Sequence, residues 1–577
     1  MPDTILSASP DTLARPVQSQ SRLPPGTFEL GLVLAGAVSA GAYTAGALDF
    51  LIEAMDEWEA AKAAGQPVPP HQVRLTAISG ASAGAMCGAI LAAALPRRFP
   101  PVSLKAPAPG GTGNPLFDTW VDGPDIRDFL DTSDLESGTL QSVLNTERLG
   151  HLVDAALNAR GKPEADRKWV LDPLRLRLSV ANLRGIPYGV DLAGAQAQVQ
   201  GLLVHADHMA FSLVRNALPA EGDVVLRPPA VASEAGWKTL GQAALASGAF
   251  PVALRARALE RALGALRVRK VIVPGDGVPG SPWEVPRAID FNPRWPANEP
   301  DPGQFLCVDG GTMNNEPLEL CRQAMLANPV QRMTRLGAEA DRALLMIDPF
   351  PDPVRLGPAA ETASLPQVLA ALISAWKMQC RLSAVDVSLA LSDDAYSRYL
   401  LAPQRNDNRG GEGGPLAAGG LGAFLGFFHR DFRSHDYLLG RRNCQQLLRL
   451  HFALPTENDL FSLWPPGLKD SWASDAEQRQ DLAERWRGKS HLPIIPLVGS
   501  AAVPQPLPDW PAGRLRPESL GEPIEARLDK VFQVLLAQLQ LGWLPHQGAR
   551  SIWWWERRRL RDAAVEAIQK TLKAKSL

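Results

Sequence analysis

The chain has 577 residues, 45% of them hydrophobic, with 59 basic and 61 acidic side chains and a formal net charge of −2. That length supports more than one module around a sizeable core, and the even charge balance excludes a global nucleic-acid footprint. No run reaches the roughly 18 apolar residues that a spanning helix needs, and the five cysteines (87, 307, 321, 380 and 444) are odd in number with no C-x-x-C pair, so free thiols in a reducing, cytoplasmic setting are expected.

Met1–Pro25 is polar and proline-containing, and is expected to be a disordered segment rather than a secretory leader. Phe28–Leu34 is an apolar strand that enters the small-residue loop Ala35–Gly41 and then a helix carrying Leu48, Leu51, Ile52, Met55 and Trp58 at helical spacing. A strand, a loop of small residues and a helix N-terminus together aim backbone N–H groups at an anion. The same pattern also serves as a tight turn with no ligand. A phosphate-binding P-loop is excluded, because no Gly-Lys-Ser/Thr follows.

The apolar run Thr76–Ser79 meets Gly80-Ala81-Ser82-Ala83-Gly84 and continues into the alanine-rich Met86–Leu95. Small residues permit a sharp strand-to-helix turn with the Ser82 hydroxyl at its tip, in the positive end of the helix dipole. Taken alone, Ser82 is also explained as the cap of a core helix. Leu174–Val180 and Ala343–Ile347 read as further core strands, and proline-rich insertions occupy Pro282–Pro302 and Pro349–Pro358. Phe305–Val308 delivers Asp309 at a strand's carboxyl end, followed by Gly310 and Gly311, where an aspartate can deprotonate a serine or simply form an Asx-turn.

Asn406–Gly422 is a glycine-rich loop leading into the apolar Phe424–Phe428, a pattern shared by active-site lids and plain connectors. His435–Gln445 places many polar residues in a helical pattern, as structural hydrogen bonding requires. Eight of the fifteen tryptophans fall between Trp464 and Trp555, and Pro493–Pro523 reads as a surface linker. Two helices are expected beyond it. The first has an apolar stripe of Leu528, Val531, Leu535 and Leu539. The second starts near Ser551 with Trp553, Trp554 and Trp555 and carries the basic residues Arg557, Arg558, Arg559, Arg561, Lys570, Lys573 and Lys575. Such a helix suits an anionic membrane interface, although three adjacent tryptophans cannot share one face, so packing on the rest of the chain is the competing explanation.

The Gly36–Gly41 loop, Gly80–Gly84, Ala246-Ser247-Gly248-Ala249-Phe250-Pro251 and Asp309-Gly310-Gly311 with Asn315-Glu316-Pro317, in this order, resemble the motifs of patatin-like phospholipases over about Phe28 to Asp348. The resemblance implies a three-layer α/β/α fold with a central, mainly parallel sheet and a mostly helical C-terminal region. With the composition of the two ends, it gives an expected division into a disordered segment at 1–25, a catalytic domain with insertions at 26–455 and a Trp-rich, mostly helical region at 456–577. It also implies a lipid acyl hydrolase of phospholipase A or lysophospholipase type, with Ser82 as nucleophile, Asp309 as base, and Gly36, Ala37 and Val38 as the oxyanion hole. Gly80, Gly84, Gly310 and Gly311 would shape the turns. No cofactor or metal is expected, since no ligand cluster has suitable spacing. The implied partners are a phospholipid or other lipid ester and, through the C-terminal basic helix, the inner membrane face, with no nucleic acid.

The loop departs from the family pattern: Ala37 and Val38 stand where glycines are usual, and Ala40 where a basic residue is usual. A β-branched Val38 is not expected to adopt φ > 0. Two alternatives follow, a catalytically weakened membrane- or partner-binding protein and an α/β-hydrolase with a Ser–Asp–His triad completed by His429 or His435.

Overall fold

The computed structural model describes residues 22–577 apart from 106, 159–165, 192–198, 267–269, 282–283, 291, 327–332, most of 351–394, 408, 411–413, 474–489 and 540–542. The expected disorder of Met1–Pro25 thus lies almost wholly outside the described residues, as do parts of the two proline-rich insertions and of the glycine-rich loop. The strands are β1 (Thr27–Leu34), β2 (Gln72–Gly80), β3 (Val170–Asp191), β4 (Val199–Leu213), β5 (Val224–Leu226), β6 (Arg257–Arg261), β7 (Lys270–Val273), β8 (Arg287–Asp290), β9 (Gly303–Asp309), β10 (Arg342–Ile347), β11 (Arg398–Leu401), β12 (Ala453–Pro455) and β13 (His491–Pro493). Helices of eight or more residues are α1 (Gly41–Ala63), α2 (Ala83–Ala94), α3 (Glu147–Leu157), α4 (Ala235–Ser247), α5 (Leu318–Met325), α6 (Arg430–Leu450), α7 (Pro466–Ala473), α8 (Gly521–Gln538) and α9 (Trp543–Lys575).

The central sheet runs β11-β10-β1-β2-β3-β4-β5, with β9 beside β3 and β6 beside β9. From β11 to β3 every pairing is parallel. The alternation of a strand splits its side chains between two cores. Leu32, Leu34, Ile78 and Leu178 belong to the main core with residues of α1, α2 and α6. Val33, Ala77, Leu344 and Met346 form a second core with Leu318, Cys321 and Met325 of α5. Helices therefore cover both faces, and the fold is α/β with a mostly parallel central sheet.

Beyond β3 the uniformly parallel pairing ends: β4 runs antiparallel to β3, and β6 antiparallel to β9. β9 pairs antiparallel to β3, with Asp309 opposite Val180. Strand β3 is 22 residues long, so it continues past the edge where β1 and β2 end, and β9 returns along that extension. Asp309 therefore reaches the carboxyl end of β2 from the opposite direction, on an antiparallel strand rather than a parallel neighbour.

The region after residue 455 is tied into the same body. The expected boundary at 455/456 falls at the end of β12, whose partner β13 lies beyond it. Pro493–Pro523 is not a surface linker: Ile494, Ile495, Ala501 and Trp510 are buried, and Gln445 of α6 donates to the Ala501 and Val503 carbonyls. The last helix starts at Trp543 rather than near Ser551, since Pro545 in its first turn breaks no intrahelical bond. The stripe expected on α8 is largely open, with Leu535 and Leu539 exposed. No helix among the described residues is long and apolar enough to cross a membrane.

Candidate active site

Ser82 is the hinge between β2 and α2, at φ 52° and ψ −124°. A non-glycine residue in that region is strained by about 1–3 kcal/mol and persists only when its surroundings over-determine it. Here close packing does so. A Cβ on Gly84 would lie 2.1 Å from the Leu34 carbonyl oxygen, so only glycine lets α2 start against the end of β1. Gly80 packs on Gly84 from the other side of the turn, where a Cβ would lie 2.6 Å from the Gly84 carbonyl oxygen. The Ser82 N–H donates to Ser247 Oγ at 2.9 Å, and Ser247 donates in turn to the Ser179 carbonyl at 2.6 Å.

The Ser82 hydroxyl donates to Asp309 Oδ2 at 2.7 Å, and both residues are buried. The other carboxylate oxygen, Oδ1, accepts from the Gly311 N–H at 2.7 Å. Gly310 lets this turn approach β3: a Cβ there would stand 2.1 Å from the Ser179 carbonyl oxygen. The Asp309 N–H donates to the Ala249 carbonyl at 3.0 Å. The turn that ends α4 thus grips both partners, Ser82 through Ser247 and Asp309 through Ala249.

The small-residue loop lies against this pair. A Cβ on Gly36 would sit 3.0 Å from Ser82 Cβ and 2.4 Å from Asn315 Oδ1. The Gly36 N–H is already used, donating to the Asn315 carbonyl at 3.2 Å, so Gly36 does not offer the oxyanion donor expected of it. The N–H groups of Ala37 and Val38 have no acceptor among the described residues. Val38 has φ 48°, against the expectation that its branched side chain forbids it. Ser39 explains how this is held: its N–H donates to the Ala423 carbonyl at 3.2 Å, its hydroxyl donates to the same oxygen and accepts from the Gly426 N–H at 3.0 Å. Behind the loop, Asn315 donates to Glu316 at 2.6 Å and Arg381 bridges Glu316 and Asp348, so the segment touching both Gly36 and Gly311 is anchored by ion pairs.

Ser82 and Asp309 both line one cleft, of about 640 Å³ when the solvent-open space at its mouth is counted. Its floor is one face of α2, with Ala83, Met86 and Ile90 in succession, and Trp120, Leu152, Phe250 and Phe427 form walls. Apart from Ser82, Asp309 and Thr119 the lining is apolar or glycine. Phe427 comes from the apolar segment that follows the glycine-rich loop; Asp436 of α6 holds the loop by accepting from the Ala417 and Ala418 N–H groups.

The two histidines considered for a triad are engaged elsewhere. His435 lies between Asp436 (2.7 Å) and Arg405 (2.6 Å), and His429 caps α6 by accepting from the Asp431 N–H at 3.1 Å. Neither lines the cleft. Among the described residues no group of three or more His, Cys, Asp and Glu side chains is placed to hold a metal ion. Ser39 carried no signal in the sequence, and Ser247 was visible only as part of a motif with no assigned task.

No family model matches the chain. The crystal structure of VipD from Legionella pneumophila aligns with 96% of this chain and 88% of its own at 12% sequence identity and a TM-score of 0.26. The uncharacterized protein y4iI of Sinorhizobium fredii (strain NBRC 101917 / NGR234) is 34% identical over an alignment of 577 residues that covers 89% of this chain and 78% of that protein. The chain belongs to the family of y4iI.

Proposed function

We propose that this protein is a serine acyl hydrolase acting on lipid esters, with Ser82 and Asp309 as its catalytic pair. The observation that carries the reading is the 2.7 Å hydrogen bond from the Ser82 hydroxyl to Asp309, both lining a mostly apolar cleft. Asp309 Oδ2 takes the Ser82 proton as the hydroxyl attacks the ester carbonyl, and the Gly311 N–H on Oδ1 keeps the carboxylate aimed. The N–H groups of Ala37 and Val38, with the N-terminal dipole of α2, meet the charge that develops on the carbonyl oxygen. Asp309 returns the proton to the departing alcohol, leaving an acyl-Ser82 ester. Water then enters and loses a proton to Asp309 as it attacks the acyl carbon; Asp309 passes that proton to the departing Ser82 Oγ, which releases the fatty acid and restores the free serine. A cleft lined by Met86, Ile90, Trp120 and Leu152 suits an acyl chain, because each buried CH₂ contributes about 0.8 kcal/mol.

The test uses a soluble short-chain ester and a fluorophosphonate probe. Ser82→Ala and Asp309→Asn should each lower turnover at least a thousandfold, and the double variant little further, because the two groups act as a unit. Ser82→Ala should also abolish labelling. Wild-type protein that neither hydrolyses esters nor reacts with the probe would instead be a catalytically idle scaffold.

A further inference from the structure

The three adjacent tryptophans of α9 are divided between two tasks. Trp553 closes the helical hairpin: its ring stacks on Phe532 of α8 at 4.2 Å and 7°, and its indole N–H donates to Asp529 at 2.9 Å. Arg557 and Arg561 complete the seam, pairing with Glu525 and Asp529 of α8. Trp554 and Trp555 face the other way and are 52% and 75% exposed, with Ile552 beside them at 66%. Arg558, one turn on from Trp554, lies over its ring at 5.8 Å. Arg559, one turn on from Trp555, is 82% exposed and meets only a loose 3.7 Å partner, Glu556, a surface pair of little worth.

We propose that this face docks on an anionic lipid bilayer and sets the cleft at its surface. The choice of a bilayer as occupant rests on the reading of the cleft as a lipid site. Exposed tryptophans interleaved with outward arginines match the headgroup layer, where indole rings are enriched and each Lys or Arg adds about fivefold to binding. The hairpin is also fixed to the cleft rim. Arg527, buried at the start of α8, donates to the Asp131 and Val143 carbonyls and pairs with Asp134. The bend it holds donates from Val143 and Leu144 to the Val252 and Ala253 carbonyls at 3.0 Å each. Val252 is 79% exposed and stands between the cleft residues Phe250 and Leu254. Phe532, which carries Trp553, is about 8 Å along α8 from Arg527, so the tryptophan face and the cleft rim belong to one rigid unit.

The experiment uses the full chain as Ser82→Ala, so that binding is read without hydrolysis. Co-sedimentation with phosphatidylcholine vesicles and with vesicles containing phosphatidylglycerol should show strong binding to the latter at low salt and weak binding at high salt. Trp554→Ala with Trp555→Ala should lose at least nine-tenths of that binding at an unchanged melting temperature. Arg558→Gln with Arg559→Gln should lower partition onto the anionic vesicles about thirtyfold and leave the neutral vesicles unaffected. The proposal is overturned if the parent shows no salt-sensitive vesicle binding, or if the tryptophan variant binds as the parent does. It is also overturned if the parent self-associates and the tryptophan variant is monomeric, since the face would then be a contact between copies. Vesicle binding without ester hydrolysis by the wild type would retain this surface and remove the catalytic reading alone.

Discussion

Ser247 is the residue on which the geometry of Ser82 turns. Its hydroxyl satisfies the backbone N–H of a residue held at positive φ and passes a hydrogen bond on to the Ser179 carbonyl. Removing it leaves the buried Ser82 N–H without an acceptor, which costs about 1–3 kcal/mol and loosens the elbow. Ser247→Ala should therefore lower kcat on a soluble ester by about tenfold with KM little changed and a melting temperature only a few degrees lower. Unchanged turnover would show that close packing at Gly84 and Gly310 suffices to hold the nucleophile. Ser82 and Asp309 were legible in the sequence because each sits in a short local pattern that forces a turn. Ser247 and Ser39 were not, because their partners lie 165 and 384 residues away and a serine is unremarkable in a loop or helix. Gly36 was misread for the same reason: its N–H is consumed by Asn315, whose approach no local spacing encodes.

The elements that shape the oxyanion loop are the loop itself and the strap running from Ala417 to Phe428. A positive φ at valine costs roughly 1–2 kcal/mol relative to glycine, and the three Ser39 bonds to Ala423 and Gly426 offset it. The strap is itself pinned by Asp436 on one side and by the core it shares with Ile568 and Leu572 of α9 on the other. Ser39→Ala should release Val38 toward ordinary φ and lower kcat by tenfold or more. Adding Val38→Gly should restore much of the loss, because glycine reaches positive φ without the penalty. If the double variant is as slow as Ser39→Ala alone, the strap serves packing and not the loop's conformation. Glycine-rich composition pointed to a lid or a connector; that the apolar segment after it brings Phe427 into the cleft wall depends on contacts with α6 and α9, which composition does not carry. The same contacts mean that truncation at Gly548 would remove part of the cleft's support, so point changes at Trp554 and Trp555 are the cleaner probe of the surface.

Across the whole molecule, the parallel half of the sheet was legible because β1, β2 and β10 each carry a mostly apolar run toward the carboxyl end. The path of residues 493–523 was not, because its proline-rich composition is that of a linker while its burial comes from partners elsewhere. His71 is one such partner. Its Nε2 lies 2.8 Å from the Ile494 carbonyl, its Nδ1 accepts from the Trp464 indole N–H at 3.0 Å, and the ring stacks on Trp464 at 5.3 Å. Both nitrogens are satisfied only in the neutral ring, since a proton on Nδ1 would face the Trp464 N–H. Burial accordingly lowers the His71 pKa from 6.5 to about 3, against the smaller opposing effect of the Ile494 carbonyl. Between those values the unfolded chain binds a proton that the folded chain does not, so stability falls as pH drops below 6.5, by about 1.4 kcal/mol per unit. His71→Gln keeps a donor for Ile494 and an acceptor for Trp464 but cannot titrate. The stability advantage of wild type over this variant should shrink by about 2 kcal/mol between pH 7 and pH 5, measured by urea unfolding at each pH. A difference independent of pH would mean that His71 is reached by water in the folded state, and that the C-terminal third is held to the sheet by packing alone.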